Sequence, residues 1–196
     1  MDYILKSLNE LQKITLYHGS SVGNITTFQL NKGRNNLDFG KGVYFTTKLQ
    51  QAINWSLKRN NTGYVYVCEL DIRDLKMLEF SRNCDNFAEI IHFCRIDLEE
   101  LADEFVDGFD KADAIYGLVV DKKNPQIEKL ATQYNEGDIS YNEFYRNLDA
   151  ILFKNNMDQL CIKSDMALSK LNILEVVKTC GNANAQKYIK NNGKDS

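Results

Sequence analysis

The stretch that most constrains this chain is Asp38-Phe39-Gly40-Lys41-Gly42-Val43-Tyr44-Phe45-Thr46-Thr47. It opens as a glycine-rich turn and closes as a strand. Gly40 and Gly42 permit a positive φ or a close approach by another group. Val43, Tyr44 and Phe45 suit a pleated, half-buried strand. Thr47, with Gln50 shortly after it, predicts a helix start of capping-box form. Leu49, Ala52, Ile53 and Ser56 follow at helical spacing. The unit reads as turn, strand, turn, helix. Taken alone, an ordinary glycine turn before a core strand accounts for it.

A second feature lies upstream. Leu16-Tyr17-His18-Gly19-Ser20 reads as a strand running into a turn. The Gly40-x-Gly42 pattern precedes a strand rather than a helix, so it fails the structural test for a dinucleotide-binding fingerprint.

Composition sets the outer bounds. The 196 residues suit one domain, and 43% hydrophobic against 26% charged residues can bury a core and keep a hydrated surface. The formal charge of -3 gives no global pull toward nucleic acid and leaves a local basic patch open. No apolar run approaches the roughly 18 residues of a membrane span. The start, Met1-Asp2-Tyr3-Ile4-Leu5-Lys6, lacks the pattern of a signal peptide, so a cytoplasmic protein is expected. Cys68, Cys84, Cys94, Cys161 and Cys180 are odd in number and widely spaced. With only His18 and His92 beside them, they read as reduced thiols and imply no metal.

In chain order, Ile4, Leu5, Leu8 and Leu11 predict a short amphipathic helix over 1–13. Strands are expected at 14–19, 43–45, 64–70, 75–80, 114–120, 157–162 and 173–177. Helices are expected from about 49 to near 60, within 85–105, at 126–134 and at 140–153. The last of these carries a Ser140–Glu143 capping box and a stripe of Tyr141, Phe144, Tyr145, Leu148 and Leu152. His92 falls beside the stripe of 85–105 and reads as a rim residue. The order of elements is an α+β pattern, not a regular βαβ alternation. One domain over 1–180 is expected, with 85–153 a helical insertion and 181–196 a polar tail.

The pair His18-Gly19-Ser20 and Phe39-Gly40-Lys41-Gly42-Val43-Tyr44-Phe45 resembles the nicotinamide-binding half of the ADP-ribosyltransferase superfamily, in its poly(ADP-ribose) polymerase branch. The span 16–56, with Gly33-Arg34 and Gln51-Ala52-x-x-Trp55-Ser56, is still more similar to a bacterial family of uncharacterised ADP-ribosyltransferase-like proteins (DUF3990-like). The resemblance implies a split β-sandwich of two small, mainly antiparallel sheets, with flanking helices and a cleft for NAD.

It also implies roles for residues. His18 would hold a ribose hydroxyl of NAD. The backbone of Gly19 would hold the nicotinamide carboxamide, and Tyr44 would stack on the nicotinamide ring. Trp55 is the nearest candidate for a second aromatic. The family's late-strand Glu is replaced here by Gln159, with Asp158 beside it. Gln159 is favoured, on the reasoning that Leu160 and Ile162 cannot both be buried if Asp158 shares their face. Arg34 suits the pyrophosphate, Lys41 is similar, and Ser20 suits the adenosine ribose.

The function implied is NAD-dependent mono-ADP-ribosyl transfer to a protein or nucleic-acid acceptor, without a metal. Related bacterial proteins of this kind are toxins or defence factors, some with a small neutralising protein partner. The alternatives are an NAD glycohydrolase and a catalytically silent module that binds NAD, ADP-ribose or a protein. The insertion 85–153 is expected to carry target recognition.

Overall fold

The structure is a computed structural model that describes residues 12–32, 37–80, 111–119, 125–155 and 157–180. The expected helices over 1–13 and 85–105, His92, Arg34 and the tail lie outside the described residues.

Strand β1 (Lys13–Ser20) and strand β3 (Thr62–Asp71) pair antiparallel from Lys13 opposite Asp71 to Ser20 opposite Tyr64. Strand β7 (Leu171–Cys180) covers the other edge of β3, also antiparallel, with a register shift between Val67 and Cys68. These three form the first sheet, in the order β1-β3-β7.

The second sheet runs β2 (Val43–Phe45), β6 (Asp158–Ile162), β5 (Ala114–Leu118) and β4 (Met77–Phe80). Its first two pairings are antiparallel and β4–β5 is parallel. The expected α+β class and two small sheets are present, one wholly antiparallel and one mixed.

Apolar periodicity explains how the layers stack. Ile14 and Leu16 of β1 alternate inward with Tyr66, Cys68 and Leu70 of β3. They meet Val43, Phe45, Leu160 and Ile162 of the second sheet in one buried cluster. The far face of the second sheet holds another cluster with Phe39, Ile115 and Cys161, against Ile127 and Leu130 of α2 (Pro125–Asn135) and Phe144 and Leu148 of α3 (Tyr141–Asn155). Helix α1 (Leu49–Ser56) lays Ala52 and Ile53 on Val65, on the outer face of the first sheet. The order is helix, sheet, sheet, helix pair. Each fully buried Leu or Phe contributes about 2 kcal/mol to holding these layers.

Several expectations are corrected. Helix α1 is not capped by Thr47: its N-cap is Lys48, which makes no side-chain cap bond. The Thr47 hydroxyl bonds the Asp158 carboxylate instead. Within 85–153, β5 sits inside the second sheet and α2 and α3 cover one of its faces.

The reasoning that set Asp158 against Leu160 and Ile162 fails too. All five residues of β6 are buried, so Asp158 shares a face with two buried apolar neighbours. A strand with partners on both edges and layers on both faces has no wet side. The capping box at α3 does form, with Glu143 accepting from the Ser140 backbone at 2.9 Å. A short helix α4 (Asp165–Ser169) is capped by the Ser164 hydroxyl, which accepts from Ala167 N–H.

Candidate active site

Among the described residues, one bridge joins the two sheets at their edges. Tyr17 N–H donates to Thr46 O at 2.8 Å, and Thr46 N–H donates to Tyr17 O at 2.9 Å. In an antiparallel ladder, hydrogen-bonded positions recur at every second residue. The next such pair would set Gly19 opposite Tyr44. The strands part there instead, and β2 continues only with β6. Because Tyr17 turns its peptide groups to this edge, Gly19 turns its N–H and C=O the same way, away from β3.

His18 sits at the parting. Its Nδ1 lies 2.7 Å from Tyr44 O. A carbonyl can only accept, so Nδ1 carries the proton and Nε2 of the neutral ring keeps its lone pair. Phe28 meets the imidazole edge-on at 5.0 Å between centroids, and Phe45 tilts against it at 5.5 Å. Burial among these rings lowers the pKa below its ordinary value, against an opposing effect of the Tyr44 carbonyl.

Gly19 is a glycine for a reason on its other side. A Cβ there would collide with Ala52 O and lie 2.9 Å from Ser56 N, so β1 presses directly on the last turn of α1. Gly42 is similar: a Cβ would lie 2.6 Å from Ile162 O, so the close approach comes from β6. Gly40 alone needs its positive φ, 69°.

Tyr44 binds the turn that precedes it. Its hydroxyl donates to Gly40 O at 2.7 Å and accepts from Phe39 N–H at 3.0 Å. Burial, with Cys161 beside it, raises the phenol's pKa well above its ordinary value. The ring is partly exposed and packs on the Phe39–Cys161 side of β2, whereas Phe45, one residue on, faces His18. His18 and Tyr44 are therefore joined through backbone, not ring to ring.

Gln159 lies on the Tyr44 side and is 7% exposed. Its Nε2 donates to Asp38 Oδ2 at 2.7 Å and to Leu118 O at 2.9 Å, which uses both amide hydrogens. Asp158, 2% exposed, is held separately. Its carboxylate accepts from the hydroxyls of Thr46 and Thr47, from Thr47 N–H at 3.1 Å and from Tyr116 at 3.2 Å. Gln51 of α1 accepts from the Asp158 N–H at 3.2 Å and donates to its C=O at 2.7 Å, as a neighbouring strand would.

Burial raises the Tyr116 pKa, reinforced by Asp158. Glu79, opposite Tyr116 in register and half-buried, is pushed up to about 7.

Of the residues singled out by sequence, His18, Gly19 and Tyr44 converge on the parting of the strands. Ser20 bonds its own turn, accepting from Val22 N–H at 3.0 Å. Trp55 points outward, 48% exposed, with Lys58 Nζ 5.3 Å from its ring centre. It is not a core anchor. Sequence reasoning missed Asp38 as the partner of Gln159, and Thr46, Thr47, Tyr116 and Gln51 as the cradle of Asp158. The doubled threonine after the strand was the one available signal.

Among curated proteins, no match to the chain was found. The family described as "Protein of unknown function (DUF3990)" matches residues 14–173, from the second residue of β1 into β7. That span takes in the second sheet, most of β1, all of β3 and every residue of the parting, and the chain belongs to this family.

Proposed function

We propose that the protein is an NAD-dependent mono-ADP-ribosyltransferase, with the parting of β1 and β2 as its nicotinamide site. One observation carries this reading. Strand geometry turns the Gly19 N–H and C=O toward the β2 edge that carries the partly exposed Tyr44, and His18, its Nδ1 engaged by Tyr44 O, stands beside them. A primary carboxamide on a flat aromatic ring has the complementary chemistry. Its NH2 would donate to Gly19 O, its oxygen would accept from Gly19 N–H, and its ring would lie toward Tyr44.

In this reading His18 Nε2 accepts from a ribose hydroxyl. The bond from ribose C1′ to the nicotinamide nitrogen breaks through an oxocarbenium-like state, as in glycoside cleavage. Its electron pair goes to nicotinamide, which leaves neutral and needs no acid. An acceptor nucleophile then bonds C1′ and gives up its proton. The protein's contribution is orientation and exclusion of water. Gln159 brings no charge to the cation and its amide hydrogens are engaged, which favours slow single transfers over polymer synthesis. The acceptor is a protein or nucleic acid. The resemblance to bacterial toxins further suggests action in the cytoplasm, checked by a small protein partner.

The engaged Gln159 also favours a second reading, a module that binds NAD without cleaving it. Nicotinamide release from NAD, measured with and without cell lysate, separates the two. Release that rises with lysate and disappears in Tyr44→Ala supports transfer. Equal release without lysate means hydrolysis. Binding without release means the silent module.

A further inference from the structure

The charge of this chain is unevenly laid out. None of residues 39–68 is acidic, although acids make up 27 of its 196 residues. Within that stretch the structure raises a compact patch. Trp55 stands exposed in the last turn of α1, with the Lys58 ammonium 5.3 Å from its ring centre. Lys58, Arg59, Asn60 and Asn61 are all exposed and line a shallow open depression beside it. An exposed tryptophan costs hydration free energy unless something covers it, and this one has the Lys58 ammonium over its ring.

The patch also has a definite position. The helical turn that carries Trp55 is the one pressed against Gly19, whose absent Cβ would lie 2.9 Å from Ser56 N. It therefore lies on the α1 side of Gly19, next in the chain to His18.

We infer that this patch binds single-stranded nucleic acid, an unpaired base stacking on Trp55 while Lys58 and Arg59 meet the flanking phosphates. Aromatic stacking beside cations is how unpaired strands are held without sequence readout, and Asn60 and Asn61 supply donors and acceptors for base edges. A duplex keeps its bases stacked on each other and offers only phosphates. An acidic protein segment would use the cations and ignore the ring. This inference builds on the NAD reading in one respect only: it makes the bound strand the acceptor.

Trp55 is the one tryptophan of the chain, so its emission reports on the patch directly. The full-length protein is titrated with oligothymidylate at about 50 mM and about 300 mM salt, with polyglutamate of matched length as a control. Quenching by the oligonucleotide, weaker at high salt and absent with polyglutamate, is expected. Lys58→Ala with Arg59→Ala should lower the log–log salt slope by about 1.4. Trp55→Ala, followed by anisotropy of a labelled strand, should weaken binding at least about fivefold. Basal nicotinamide release, measured without the oligonucleotide, should survive the Lys58/Arg59 substitutions. No quenching, equal quenching by polyglutamate, or a salt slope unchanged in the double variant overturns the inference. The release assay scores the NAD reading separately, so either can fail alone.

Discussion

His18 donates its Nδ1 proton to the carbonyl of Tyr44 over 2.7 Å, the carbonyl that a continued β1–β2 ladder would have offered to Gly19. The imidazole thus substitutes for a backbone donor and holds the two strands apart. That relationship sets the protonation behaviour of the site. Burial lowers the His18 pKa from 6.5, so the folded state resists protonation where the unfolded chain accepts it. The stabilising contribution is complete above about 6.5 and is lost as pH falls from there through the folded-state value. Unfolding midpoints measured between pH 7.5 and pH 5 should fall with acid, and His18→Asn should flatten the slope.

Gly19→Ala should cost about 1–3 kcal/mol, since the added methyl meets the backbone of α1 rather than a flexible side chain. Gly137→Ala, where the Cβ would meet nothing within 4 Å, should cost less and only through its φ of 78°. Denaturant midpoints of the two variants measure the difference.

Asp158→Ala should destabilise by about 3 kcal/mol. It leaves the hydroxyls of Thr46, Thr47 and Tyr116 and one N–H without their shared acceptor. Amide exchange should quicken first at Thr47 and in α1, the segment the carboxylate pins.

Gln159→Glu introduces a carboxylate, yet it should not add charge at this site. The new carboxylate would face Asp38 Oδ2 where the amide now donates at 2.7 Å, and like charges at that range resist ionising together. Calorimetry should show lost stability at pH 7. Adding Asp38→Asn should return part of it, and a double-mutant cycle gives the coupling.

Burial pushes the thiols of Cys68 and Cys161 up to about 12. Among the described cysteines, maleimide should label the half-exposed Cys180 first. Labelling of the other two should follow global unfolding, resolved by peptide mass spectrometry.

Much of this architecture is legible in the chain. Alternation in Tyr64-Val65-Tyr66-Val67-Cys68 announces β3, and the Ser140–Glu143 pair announces α3. Gly40 and Gly42 are legible as constrained positions, but not for which reason. One serves a left-handed turn and the other a neighbouring strand more than a hundred residues away. The side chains around residue 158 were misread for the same cause. Alternation tells which neighbours share a face, and only tertiary layering tells that both faces of β6 are dry. Thr47 had the spacing of a cap, but a buried carboxylate outcompeted the helix for its hydroxyl.

The strand order also fixes when the parting can exist. Among the described residues β2 has β6 as its one sheet neighbour, and the outer neighbour of β3 is β7. Both sheets close on segments far along the chain from β1 and β2, and such long-range closures fold slowly. A nascent or truncated chain has β1 and β2 without the partners that position them. The parting of β1 and β2 therefore takes its shape only once β6 and β7 have joined their sheets.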